Sequence, residues 1–152
     1  MKDATYTNVR DLGKLPSFHD AELIRIEHRP DEHQLDLGFK RVNGEIEFLR
    51  FLQVSALRIV DFAEQNVASR ILLTPMHVFS NLDVCSFVGW VRSYVDSRPA
   101  HVSEEQAEQL TQDFLEGKKA LFALEPSCGA EIVVLCESAW LLSERTHEHE
   151  TE

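Results

Sequence analysis

Long apolar runs are missing from this chain, and none reaches the roughly 20 residues that a membrane-spanning helix needs. Cysteine is scarce and unpatterned. Cys85, Cys128 and Cys136 are odd in number and no two stand at CxxC spacing. A reducing, cytoplasmic compartment is expected, with the thiols as small core residues. Positive charge is also in short supply: 15 Lys and Arg face 26 Asp and Glu, for a net charge of −11. That argues against nonspecific nucleic-acid binding and against attachment to anionic membranes. It suits a basic protein partner, and it also suits simple solubility. The opening MKDATYTNVRD has no apolar core, so no secretory signal is expected. Gly38, Gly44 and Gly89 stand alone. There is no P-loop, no GxGxxG and no GxSxG, which leaves the catalytic inventory empty.

What is present is a run of strand-like segments between Phe18 and Phe62. Leu35, Leu37 and Phe39 alternate with Asp36, Gly38 and Lys40, the pattern of a half-buried strand. Asn43-Gly44 follows, and a two-residue type I′ turn is expected there because Asn-Gly tolerates positive φ. That loop length would place Val42 opposite Glu45, Arg41 opposite Ile46, Lys40 opposite Glu47 and Phe39 opposite Phe48. Upstream, Ile24, Ile26 and His28 share one face, and Arg25, Glu27 and Arg29 the other. Downstream, Leu57 to Phe62 reads as the next strand of an antiparallel meander, since short loops join antiparallel neighbours. In Phe48-Leu49-Arg50-Phe51-Leu52 the alternation fails, which implies a bulge or burial on both faces.

Later segments supply the rest of an α+β fold, a mainly antiparallel meandering sheet with one or two helices packed on it. Val67 to Leu73 reads as a strand ending near Thr74-Pro75. Residues 81–96 carry Cys85, Val88, Val91 and Tyr94 at helical spacing, with Asn81 as N-cap. Their β-branched and aromatic content also favours strand. Helix is the expectation and strand the alternative. Ser103-Glu104-Glu105-Gln106 is a capping box. Ala107, Leu110 and Phe114 form one helical stripe, and Gly117 is placed to end it. Lys119–Glu125 and Glu131–Leu142 read as closing strands around a Pro126–Gly129 turn. The unbroken run from Ile132 to Cys136 implies burial on both faces. One domain is expected over 1–144, large enough to bury roughly 70% of its unfolded surface. An acidic, disordered tail is expected over 145–152.

Candidate chemistry is thin. His19-Asp20 resembles the doublet of metal-dependent HD phosphohydrolases, but here it precedes a strand. Backbone hydrogen bonding at the start of the sheet is the alternative. Asp20 and Glu22 would make an acid pair only in unlike environments at a defined separation. His147 and His149 sit in a tail too loose for a closed metal site, which takes about four ligands. His19, Asp20 and Glu22 are thus the candidate binding residues. No catalytic residue, no metal and no cofactor is expected. Trp90, Trp140, Tyr6 and Tyr94 are expected in the core, with exposure making them binding anchors.

Leu15-Pro16-Ser17-Phe18-His19-Asp20-Ala21-Glu22-Leu23, opening a run of strands, resembles small bacterial proteins that begin with an aromatic-His-Asp signature. Some of these are immunity proteins of polymorphic toxin systems, notably the immunity family numbered fifty, which usually has Trp where this chain has Phe18. The resemblance implies a β-rich domain that binds and blocks a protein partner. The functional expectation is therefore a non-enzymatic cytoplasmic interaction module, of toxin-neutralising type, with a basic partner. The alternative is a small metal-dependent hydrolase or ligand-binding domain using His19, Asp20 and Glu22. Assembly as a homodimer through a sheet edge or the 81–96 segment is a third.

Overall fold

The computed structural model describes residues 5–95 and 98–144. The tail 145–152, with His147 and His149, lies outside them. The strands are β1 (Thr7–Asn8), β2 (Glu22–Arg29), β3 (Gln34–Lys40), β4 (Ile46–Leu52), β5 (Ala56–Val60), β6 (Val67–Leu73), β7 (Ala120–Cys128), β8 (Glu131–Cys136) and β9 (Ser138–Glu144). Between β6 and β7 come two helices, α1 (Asn81–Val91) and α2 (Glu104–Glu116). Every strand pairing is antiparallel. The fold is α+β, with one mainly antiparallel sheet in the order β1-β9-β4-β3-β2-β6-β7-β8-β5.

That order closes on itself. β4 continues into β5 through a bend at Gln53, whose φ is +53°. β8 continues into β9 through Glu137. The two bent ribbons stay paired around the corner: Leu52 faces Ser138, Ala56 faces Leu135, and the Glu137 N–H donates to the Leu52 carbonyl. The hydrogen-bonded path therefore runs β8/β9, β4/β5, β3, β2, β6, β7 and back to β8. Inside the ring lies the larger core, with Leu23, Leu35, Leu37, Phe39, Leu49, Phe51, Phe122, Ile132 and Val134. A second core forms where α1 and α2 cover the outer face of β6, β7 and β8. There Val84, Val88, Ala107, Leu110 and Phe114 meet Leu121, Ala123, Val133 and Leu135. β8 is buried on both faces, as its unbroken apolar run requires.

Several expectations are corrected. The hairpin register differs by one residue: Arg41 and Glu45 close a three-residue loop, with the Gly44 N–H donating to the Arg41 carbonyl and Gly44 at φ +87°. Phe39 thus faces Glu47, Lys40 faces Ile46, and Phe48 faces Gly38. A one-residue slip turns every side chain to the opposite face. Glu47 therefore points into the ring, and the expected Lys40–Glu47 and Phe39–Phe48 pairs do not exist. β2 carries a bulge between Leu23 and Arg25, which exposes Ile24 and puts Leu23 and Ile26 on the core face. β4 is regular and flanked by apolar groups on both sides. β5 does not extend the meander; it turns the corner and pairs with β8. The segment 131–142 is two strands, and β7 runs on through Pro126 to Cys128.

The helices also differ in detail. α1 stops at Val91, and its N-cap is Ser80, whose hydroxyl accepts from the Asp83 N–H. Tyr94 lies beyond that helix and is 99% exposed, so it is a surface residue and not part of the core. α2 has both capping-box hydrogen bonds, and Gly117 ends it in the left-handed region, as the sequence reads.

Candidate functional site

The aromatic-His-Asp motif sits where the ring closes. β2 and β6 are joined through only a few residues: the Asp20 N–H donates to the Ala68 carbonyl, Ala68 to Ala21, and Leu23 to Asn66. Asp20 has φ +60°, a left-handed conformation that Asp adopts more readily than most residues. Phe18 is buried and packs edge-on against Phe39, with ring centroids 5.2 Å apart. His19 Nδ1–H donates to the Ser69 carbonyl at 2.8 Å. Its Nε2 then faces Asp20 Oδ2 at 3.4 Å, a contact that attracts only when the ring is protonated. These two side chains are 71% and 56% exposed. Glu22 is exposed and faces Lys40 and Val67 in the sheet. So the structure brings His19 and Asp20 together and leaves Glu22 apart. Among the described residues, no group of three or more His, Cys, Asp or Glu is arranged to hold a metal ion.

Among the described residues, no helix covers the outer face of β9, β4, β3 and β2, which is crossed by a polar network. Arg50 donates two 3.0 Å hydrogen bonds to the two oxygens of buried Asp36 and stacks on Tyr6, 4.2 Å from the ring centroid. The hydrogen bonds that Arg50 donates to Asp36 hold the Arg50 pKa above its usual value. Burial raises the Tyr6 pKa, against a smaller lowering by Arg50. Glu27 takes hydrogen bonds from Arg29 and Arg25, which hold its carboxyl below the ordinary range. Gly38 leaves room for the Phe48 ring and Arg25; a Cβ there would lie 3.0 Å from both. On this face charge meets charge within the molecule.

At the rim of the ring Glu47 is 1% exposed. It is satisfied by the Ser143 hydroxyl and by Arg41, 3.5 Å away, which also holds Glu45 and the Ser17 carbonyl. Arg41 therefore ties the hairpin to the segment that carries the motif.

The helix layer is different. α2 carries Glu104, Glu105, Glu108, Asp113 and Glu116, and neither helix contains Lys or Arg. Asp113 and Glu116 have lysine partners, Lys119 and Lys118. Glu104, Glu105 and Glu108 have no ion-pair partner among the described residues. Toward the other end of α2, that helix and the β6–α1 loop form a shallow apolar groove with room for about 20 Å³, with Pro75, His77, Phe79 and Phe114 in its lining and Val78 and Leu115 among its walls. Val78, Leu82 and Leu115 are 72%, 79% and 60% exposed. Asn81 and Thr111, hydrogen-bonded at 3.3 Å, join the start of α1 to the middle of α2 there.

Sequence reasoning missed this groove. A signal was present: Leu82 falls off the Val84-Val88-Val91 stripe of α1, and Leu115 off the Ala107-Leu110-Phe114 stripe of α2. An apolar side chain out of phase with the buried face of its own helix has to face outward. Trp90, half-buried, stacks on Arg58 at 4.4 Å, so one expected core aromatic is partly a surface group.

Comparison of the chain with family models, with curated proteins and with solved structures finds no match.

Proposed function

We propose that this chain is a cytoplasmic protein-interaction module that captures a basic protein partner, in the manner of a toxin-neutralising immunity protein. One observation carries the reading: exposed Val78 and Leu115 wall a shallow apolar groove at one end of the α2 face whose other end, Glu104 and Glu108, has no ion-pair partner among the described residues. Apolar anchors in a charged rim are the anatomy of a protein interface. The net charge of −11 adds long-range attraction for a basic protein and speeds its capture. The aromatic-His-Asp opening supports the immunity-type reading through its resemblance. In this reading the motif is structural: His19, Asp20 and their backbone hold β2 against β6.

The hydrolase alternative would rest on two solvated donors and a Glu22 that reaches neither. Among the described residues no third ligand joins them.

The test is capture from the source organism at low and moderate salt, followed by assay of the captured protein. The expected result is a basic protein whose activity is blocked by one equivalent of this chain. Failure to recover a specific protein at either salt, or a partner whose activity is untouched, would overturn the reading.

A further inference from the structure

Resting on the interaction reading above, we infer that the partner segment seated along α2 and the β6–α1 loop is a basic amphipathic helix. Its aliphatic residues lie against Val78, Leu82 and Leu115, and its lysines or arginines lie along α2 against Glu108 and Glu104.

Spacing fixes this arrangement. Glu104, Glu108, Thr111 and Leu115 stand at i, i+4, i+7 and i+11, one face of a helix. The stripe is about 16 Å long at about 1.5 Å per residue. Its C-terminal end, Thr111 and Leu115, is a wall of the apolar groove; its N-terminal end is carboxylate. A matching segment is apolar at one end and basic about two to three turns away.

Backbone chemistry selects a helix over an extended peptide. The groove is bounded by helix and loop and offers no strand edge, so the N–H and C=O groups of an extended occupant would find no ladder. A helix satisfies its own. Charge weighs against a second copy of this chain: a two-fold interface would set the same α1 and α2 surfaces face to face, the helices carry carboxylates and no Lys or Arg, and Lys118 and Lys119 just beyond α2 are already paired with Glu116 and Asp113.

The experiment uses the full chain and three synthetic peptides of about eighteen residues, long enough for the stripe. The first has leucines at one end and lysines at i+7 and i+11. The second has those lysines replaced by glutamate, and the third has the leucines replaced by serine. Titration is followed by amide NMR shifts, with the Leu82→Ser/Leu115→Ser and Glu108→Lys variants as controls. The lysine peptide should bind with shifts centred on 78–82 and 104–115. Each replaced peptide and each protein variant should bind about tenfold more weakly or worse. Circular dichroism confirms that the variants fold, as exposed positions allow. No binding of the lysine peptide at about 1 mM, or binding indifferent to both protein variants, overturns the inference. Self-association of the chain that Leu82→Ser/Leu115→Ser abolishes would also overturn it, in favour of a second copy. A captured natural partner that holds both variants as tightly as the parent sinks the groove while leaving the interaction reading intact.

Discussion

On the uncovered sheet face, Asp36 meets Arg50 through two 3.0 Å hydrogen bonds and Glu27 is held by two arginines; on α2, Glu104, Glu105 and Glu108 have no ion-pair partner among the described residues. Both regions are rich in charge. On the sheet face Asp36 and Arg50 stand directly opposite across β3 and β4 and help hold that register, while Glu27 is clamped by Arg25 and Arg29 along its own strand. The helix layer leaves it to solvent, although exposed apolar side chains lie beside it. A charge without an internal partner contributes little to folding, so its place has to be explained otherwise. Substitutions in the two regions should accordingly separate stability from binding.

The largest effect is expected at the rim of the ring. Arg41→Ala leaves buried Glu47 with only the Ser143 hydroxyl. Orphaning a buried carboxylate costs about 3–5 kcal/mol. Urea unfolding should show a lower midpoint at an unchanged slope, and adding Glu47→Gln should return part of the loss. A change below about 1 kcal/mol would put this pair among solvent-screened surface pairs and weaken the contrast.

Next is the Asp36–Arg50 pair. Asp36→Ala should cost about 1.5–3 kcal/mol, the range for hydrogen bonds to charged groups. A double-mutant cycle with Arg50→Ala isolates the coupling from the stacking of Arg50 on Tyr6. A coupling indistinguishable from zero would remove the sheet face as a self-paired surface.

Much of this comparison was legible in the residues, and some was not. The alternation from Leu35 to Lys40 and the stripe and caps of α2 are local patterns, and local physics decides them. The register of the β3–β4 hairpin was not, because Asn-Gly is compatible with two loop lengths. The longer loop has Gly44 alone in the left-handed region, where the two-residue turn would need Asn43 there as well, and it is held by Arg41 pairing with Glu45. That single residue of slip moves Glu47 from the surface into the core, so the most buried carboxylate among the described residues could not be read from its neighbours. Closure of the ring depends on contacts such as Leu52 with Ser138, which no local pattern encodes. The groove was half-visible, as out-of-phase Leu115, but its walls meet only after α2 packs beside the β6–α1 loop.

Within the helix layer itself, Ser103→Ala removes one capping-box hydrogen bond and should cost about 1 kcal/mol. Thermal unfolding followed by circular dichroism would show it. This gives the scale for what the helix layer contributes when a group has an internal partner.

The smallest effect is expected where the functional reading is strongest. Glu108→Gln and Leu115→Ser touch side chains that are exposed and have no internal ion pair or enclosed packing to lose. Surface substitutions of this kind stay within about 0.5 kcal/mol. Leu115→Ser also removes an exposed apolar group from water. Natural sequences rarely keep large aliphatic side chains clustered at a surface without a use, because contiguous apolar patches favour association. If urea unfolding shows either substitution costing more than about 1 kcal/mol, the groove is part of the fold and its residues are accounted for by packing. If both are silent in stability and each weakens capture of the partner, then the helix layer is held for contact with another molecule, as the sheet face is held for contact within this one.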